Sequence, residues 1–429
     1  MKDNVYLDNA ATTWPKPEPV FAFMDRFSRD IGVNAGRGSH ALAADADRMV
    51  RQARAMIAAF VGFSGPAERV VFASNGTDAL NTAINGLVED GAHVVTSGLE
   101  HNAVARVLNH ATRDRAVRFS TVSCDSDGYV NPGSIASALQ VDTGALVINH
   151  GSNVAGTIQD IDAIAKVASA ANVPLILDAA QTAGVVPIDM DRRGIAVVAF
   201  PGHKGLFGPM GSGGLVMADG IELRAQRFGG TGVDSASEYQ PSSLPWRLEP
   251  GTLGMPGIAG MHAAQLWFRA LGEHLSAGGD PAVWSPDVID DIDAILDHAD
   301  SLSREQHAAR CLLAIGHVHS VECAHVQRIE SMLSGYAGVR VLGSARDGAR
   351  VATISFVHSR IDAQEIADRL DADHGICVRA GLQCAPWAHR SFGSFDTGGS
   401  VRLSPGYFTD EEDLAQLSNA LEDVLGAPV

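Results

Sequence analysis

Leu175-Ile-Leu-Asp-Ala-Ala-Gln181, then Ile195-Ala-Val-Val-Ala-Phe200 running into Pro201-Gly-His-Lys-Gly-Leu-Phe-Gly-Pro-Met-Gly211, decides how this chain is read. Two short apolar runs, each ending in polar, glycine-bearing residues, predict strands buried on both faces. Their carboxyl ends should open into one crevice, where open α/β sheets bind ligands. Lys204 stands at such an end, with glycines on both sides that let a bulky ligand approach the backbone. A partly desolvated lysine there loses proton affinity and becomes able to form an imine. A solvated lysine in a flexible loop is the ordinary alternative.

The chain has four lysines, which narrows the search for a catalytic amine. Lys2 and Lys16 lie in the polar N-terminal segment, and Lys166 follows Asp162 by one helical turn, as solvated ion pairs do. Asp178 closes the strand before Lys204, so its carboxylate should face the same crevice and could keep a pyridine nitrogen protonated. A helix N-cap is its plainer role. Ser74-Asn-Gly-Thr-Asp-Ala-Leu80 joins strand to helix; Gly76, Thr77 and the free N–H groups there could cradle a phosphate. His101, in Gly98-Leu-Glu-His-Asn102 after another strand, could stack on a planar ring.

Further strands are expected at 69–74, 93–96, 117–122, 145–149 and 214–217. With the two above they make a mainly parallel seven-stranded sheet flanked by helices. Beyond Gly260 the pattern becomes α+β, with strand candidates at 351–357, 376–379 and 401–404 and an amphipathic helix from Asp362 to Leu370. The expected division is a large α/β domain over 15–262. A smaller α+β domain would be built from 1–14 and 263–429, with an Asp-rich insertion near 278–306. At 429 residues two domains are the natural expectation.

Composition bounds the function. Hydrophobic residues make up 46% and charged residues 19%, and the net charge of −18 argues against nucleic-acid binding. No signal region precedes Val5-Tyr6-Leu7, and the most apolar stretch, 167–188, is broken by Asn172, Pro174, Asp178 and Gln181, so no membrane span is expected. Five cysteines, an odd number without a leader, point to reduced thiols in the cytoplasm.

Taken together, these residues resemble the class V aminotransferase family of fold-type I pyridoxal-phosphate enzymes, and within it the cysteine desulfurases and selenocysteine lyases. The similarity extends from Tyr6-Leu-Asp-Asn-Ala-Ala-Thr-Thr13 to Val401-Arg-Leu-Ser-Pro-Gly-Tyr-Phe408. It implies Lys204 as the Schiff-base lysine, Asp178 on the pyridine nitrogen, Gln181 on the ring hydroxyl and His101 against the ring. Gly76, Thr77 and His203 would bind the phosphate, with Thr252 of Glu249-Pro-Gly-Thr252 reaching in from the partner subunit of a homodimer. Asn153 and Arg402 match the positions that hold the substrate carboxylate, and Arg379 is a second candidate; Asn153 would also touch the cofactor, and His101 would count with Lys204 and Cys384 among the catalytic residues. Cys384, in Arg379-Ala-Gly-Leu-Gln-Cys-Ala-Pro386, would carry sulfur; its glycine- and proline-bounded loop near an arginine suits a reactive thiol. Cys377, inside a strand, reads as a core residue.

The implied reaction takes L-cysteine to L-alanine. Lys204 removes the α-proton and Cys384 accepts the sulfur as a persulfide, for onward delivery to an acceptor protein. A C–S lyase, selenocysteine lyase, epimerase or aminotransferase acting on another amino acid uses the same cofactor residues, and a non-catalytic scaffold would retain only the fold. Three positions depart from the family pattern: Pro201 replaces a Ser or Thr, Gln383 replaces a common His before the cysteine, and Gly254 replaces an Asn. His307 and Cys311, four residues apart, share a helical face on which a metal site is conceivable. With His317, His319, Cys323 and His325 they read more simply as an amphipathic helix pair, and no metal is expected.

Overall fold

The computed structural model describes residues 4–36, 38–281, 297, 299, 303–346 and 350–428; most of the expected insertion near 278–306 lies outside them. In chain order the strands are β1 (Val5–Tyr6), β2 (Val70–Ala73), β3 (His93–Ser97), β4 (Arg118–Val122) and β5 (Thr143–Asn149). There follow β6 (Leu175–Asp178), β7 (Val197–Pro201), β8 (Gly213–Met217), β9 (Val339–Val341), β10 (Ile354–His358), β11 (Ile376–Cys377), β12 (Arg379–Gly381) and β13 (Ser400–Leu403).

Seven strands form one sheet in the order β2-β8-β7-β6-β5-β3-β4. Every pairing is parallel except those of β8 with β2 and β7. Side chains alternate between two apolar layers. Leu146, Ile148, Leu175, Leu177, Val198 and Phe200 enter one cluster, while Ala145, Val147, Ile176, Val197 and Ala199 enter the other. This period of two explains why the central strands read as unbroken apolar runs. Each of the large side chains contributes roughly 1.5–3 kcal/mol by leaving water.

Order matters for the site. The neighbours β7, β6, β5 and β3 end side by side, and the chain turns to opposite sides of β3 to form β4 and β5, creating the crevice expected at such a reversal.

The C-terminal part forms a four-stranded antiparallel sheet, β12-β13-β10-β9, and β1 pairs in parallel with β11. A third apolar cluster joins Val5, Leu7, Ile354, Phe356, Val401 and Leu403. Three expectations need correction. The run at 376–379 is two strands in different sheets, parted at Val378. The strand expected from 351 begins at Ile354, and β9 was not anticipated. The histidine-rich region is one helix, Arg304–Ser334, started by a capping box at Ser303 and Gln306, not a helix pair.

The expected boundary after 262 falls inside the helix Met255–Ser276. Met255, Ile258, Phe268 and Leu271 of that helix pack with the large sheet, as do Cys311, Ile315 and Val318 from the following one.

Candidate functional site

A cleft of about 210 Å³ lies where the strand ends meet the C-terminal sheet. It brings together Gly76, Thr77, His101, Asn153, Asp178, Gln181, His203, Lys204, Arg379, Cys384 and Arg402. Each anticipated residue except Thr252 is therefore in one place. Thr252 is exposed and borders a separate hollow with Ser74, Asp78 and Arg227. A larger hollow of about 670 Å³, bordered by Arg54, Trp246 and Glu249, contains none of the anticipated catalytic groups.

Lys204 follows β7 in a loop pinned by backbone bonds: Gly202 donates to the Ser212 carbonyl at 2.8 Å and Gly208 to Gly202 at 2.7 Å. Gly205 is needed because a Cβ there would lie 2.6 Å from the Ala183 carbonyl oxygen. Burial, reinforced by Arg402 and Arg379, lowers the Lys204 amine to about 8, against the pull of Asp178 and Asp8.

Asp178 is 1% exposed and accepts the Ala180 N–H at 2.9 Å. Burial raises its pKa, opposed by that hydrogen bond and by Lys204. No helix starts at Asp178, so it is not the N-cap that the sequence offered as its plainer role; it closes a turn and lines the cleft. Asn75 caps the helix Gly76–Leu87 by accepting the Asp78 N–H at 2.9 Å, and the first N–H groups of any helix lack partners within it.

His101 caps the helix Asn102–Arg115, its Nδ1 accepting from Ala103 at 3.0 Å. Nδ1 being the acceptor, the proton of the neutral ring sits on Nε2. Burial, with Lys204 and the nearby arginines, lowers its pKa to about 4, so the ring is uncharged.

Arg379 and Arg402 occupy opposed positions on β12 and β13 and therefore share a face. Arg402 is 2% exposed; it pairs with Asp8 at 2.5 Å and donates to the Asn153 carbonyl at 3.2 Å. Arg379 points a guanidinium nitrogen to within 3.8 Å of the Cys384 sulfur. Cys384 is exposed, whereas Cys377 is half-buried at the short β11, less enclosed than a core residue.

Three contributors were missed. Lys16, read from sequence only as part of a polar N-terminal segment, donates to Thr13 Oγ1 at 2.9 Å and to the His203 carbonyl at 3.0 Å. That carbonyl also accepts from the Thr12 hydroxyl, the Thr13 hydroxyl and the Thr13 N–H. Glu100, fully buried beside His101, accepts from Ser97 at 2.5 Å and from the Asn149 N–H at 3.0 Å. Burial raises its carboxyl to about 8. Gln383 turns its side chain inward. The only sequence cue was proximity to the motifs: Lys16 follows the Thr-Thr pair and Glu100 precedes His101.

His307 and Cys311 lie 3.4 Å apart (Nε2 to Sγ), buried far along the chain from these motifs. Among the described residues no group of three or more His, Cys, Asp or Glu is placed to hold a metal. Among them, too, no helix is long and apolar enough to cross a membrane.

Comparison with known proteins agrees with this architecture. The model of the aminotransferase class-V family matches residues 5–277 and 306–417, leaving a gap over the Asp-rich stretch. A probable cysteine desulfurase of Methanothermobacter thermautotrophicus is 31% identical over 432 residues, covering 99% of this chain and 96% of the relative. One from Aeropyrum pernix is 29% identical, covering 98% and 94%. In fold, the chain is similar to the apo structure of a cysteine desulfurase from Thermococcus onnurineus NA1. The TM-score is 0.81 at 23% identity, over 99% of this chain and 95% of the other. The cysteine desulfurase CsdA of Escherichia coli gives a TM-score of 0.78 at 21% identity, over 100% and 96%. From the match across nearly its whole length, this chain belongs to the class-V aminotransferase family.

Proposed function

We propose that this protein is a pyridoxal-phosphate-dependent cysteine desulfurase. It would convert L-cysteine to L-alanine and retain the sulfur on Cys384 as a persulfide. The observation that carries this reading is an exposed thiol, Cys384, on the same small cleft as Lys204 and the buried Asp178, with Arg379 beside the sulfur. The names of the relatives support it.

The residues fit the cofactor. Buried polar atoms around the cleft, Asn153 Oδ1, His203 Nδ1 and Arg402 Nε, have no hydrogen-bond partner among the described residues, as expected where a polar ligand completes the site. Lys204 would hold the aldehyde carbon, Asp178 the ring nitrogen, Gln181 the ring oxygen and His101 the ring face. Gly76, Thr77 and His203 would hold the phosphate. Bound there, pyridoxal phosphate supplies an electron sink for charge developing at the substrate α-carbon.

The chain's own groups do the rest. Arg379, Arg402 and Asn153 receive the substrate carboxylate and aim its sulfur at Cys384. Lys204, lowered to about 8, takes the α-proton near neutral pH. The Cys384 sulfur then attacks the substrate sulfur. The carbon–sulfur bond breaks with its electron pair on the carbon side, and a proton completes the alanine methyl group. The transferred sulfur remains as a persulfide until a thiol or an acceptor protein removes it.

The proposed molecule is a homodimer in which Thr252 serves the partner's phosphate site, since within its own chain it borders another hollow. Its five unpaired thiols suit a cytoplasmic setting. For the domain division we propose that the helix Met255–Ser276 and the first half of the helix Arg304–Ser334 go with the large sheet, where their side chains pack.

The test is incubation of the cofactor-loaded protein with L-cysteine and a thiol reductant, measuring alanine, pyruvate and sulfide. Equal alanine and sulfide, lost in Cys384→Ser, support desulfuration. Pyruvate in place of alanine identifies β-elimination and overturns it.

A further inference from the structure

Gln383 supplies the backbone turn that presents Cys384, and its side chain is 4% exposed with both ends of the amide engaged. Nε2 donates to the Ser400 carbonyl at 2.8 Å, which makes Oε1 the acceptor. His389 Nε2 lies 2.6 Å from that oxygen, so this nitrogen must carry the ring proton. Nδ1 is then an acceptor, filled by the Ser394 hydroxyl at 2.8 Å. His389, Ser394 and Ser400 are fully buried, and burial lowers His389 to about 4, which keeps the ring neutral and this order of donors fixed.

The turn itself needs such support. Gln383 and Cys384 are both left-handed, with φ of 40° and 56°. Side chains bearing a Cβ rarely adopt this region, least of all twice in succession, unless their surroundings over-determine it. Two backbone anchors add to the side-chain chain: Asn153 Nδ2 donates to the Gln383 carbonyl at 2.8 Å, and the Asn102 N–H to the Cys384 carbonyl at 2.7 Å.

We infer that Gln383, His389 and Ser394 form a buried positioning relay that sets the place of the Cys384 thiol over the cleft. None of the three is a catalytic residue; they act through the turn. The inference deepens the desulfurase reading and rests on Cys384 being the sulfur carrier. It also gives a physical reason for a glutamine before the cysteine: an amide can donate to one carbonyl and accept from one imidazole at once.

Two variants of the cofactor-loaded protein test it, Gln383→Leu and Ser394→Ala. In Gln383→Leu, kcat for alanine formation falls about ten- to hundredfold, the scale on which small misplacements of a reacting group act. KM for L-cysteine stays within about twofold, because the carboxylate-binding arginines are untouched. Iodoacetamide alkylates Cys384 at nearly the wild-type rate, since a small reagent meets the thiol wherever it lies, while buried Cys311 stays unmodified and reports an intact fold. Ser394→Ala, a single buried hydroxyl outside the cleft, lowers kcat in the same sense but less. If Gln383→Leu opens Cys311 to alkylation, Ser394→Ala and the tautomer of His389, read by nitrogen-15 NMR, decide. Wild-type kcat in both variants, or a His389 protonated on Nδ1, overturns the relay. Absence of alanine from the wild type overturns the desulfurase reading itself, and is seen before any variant is compared.

Discussion

Arg379 and Arg402 face each other directly across β12 and β13, two cations on one face of a sheet. Such like-charge pairs are unfavourable unless something separates or neutralises them. Asp8 does so, pairing with Arg402 at 2.5 Å, and leaves Arg379 as the cation turned to the thiol. Asp8→Asn removes that charge from a nearly buried partner. The expected loss is about 2–4 kcal/mol of unfolding free energy, read from urea denaturation.

Lys204→Ala should bind pyridoxal phosphate only reversibly. Borohydride treatment followed by peptide mass spectrometry would place the cofactor on Lys204 in the wild type and find no adduct in the variant.

On the proposed reading, uptake of pyridoxal phosphate by apo protein requires a neutral Lys204 amine. Below about 8, where burial and Arg402 leave that amine, the uptake rate should rise about tenfold per pH unit, and it should level off above. Stability follows the same shift. Between the lowered value of about 8 and the ordinary 10.5 the unfolded chain holds a proton that the folded chain has lost. Apo protein therefore gains stability from this group as pH rises through that window, and Lys204→Met lacks the gain.

Glu100 and Glu322, the latter buried on the helix Arg304–Ser334, behave oppositely. Burial raises each from 4.5 to about 8, so across that interval the folded chain holds protons that the unfolded chain has released. Their contribution to stability falls as pH rises from about 5 to 8. In Glu100→Gln and Glu322→Gln, the drop in unfolding free energy between those two pH values should be smaller than in the wild type.

Lys16→Met removes one of four donors to the His203 carbonyl. A loss of about 1 kcal/mol in stability is expected, along with weaker retention of the cofactor in equilibrium dialysis.

The residues legible in the sequence are those whose position follows from local pattern. Asp178 and Lys204 end apolar strands, and Gly76 and His101 begin helices, so periodicity alone pointed them to one edge of the sheet. Thr77 followed from its helix start. The groups that were missed owe their roles to distant segments. Lys16 matters because the chain returns to place His203 against it, and nothing within its own stretch marks it as other than solvated. Gln383 drew notice only as a departure, because its partners Ser400 and His389 meet it through the fold of the C-terminal sheet. Short strands were similarly obscure: β9 and the break at Val378 are set by pairing with β10, β13 and β1, not by their own residues.

The junction of β1 with β11, and of Asp8 with Ser404, has a bearing on how the protein is made. Segments far apart in the sequence meet there, so the earlier one stays unpaired until the later one has been made. Until β11 and β13 emerge, Asp8 has no Arg402 and the cleft has no floor. A polypeptide stalled before β11 would present Lys204 in an open crevice that still lacks Arg379, Cys384 and Arg402.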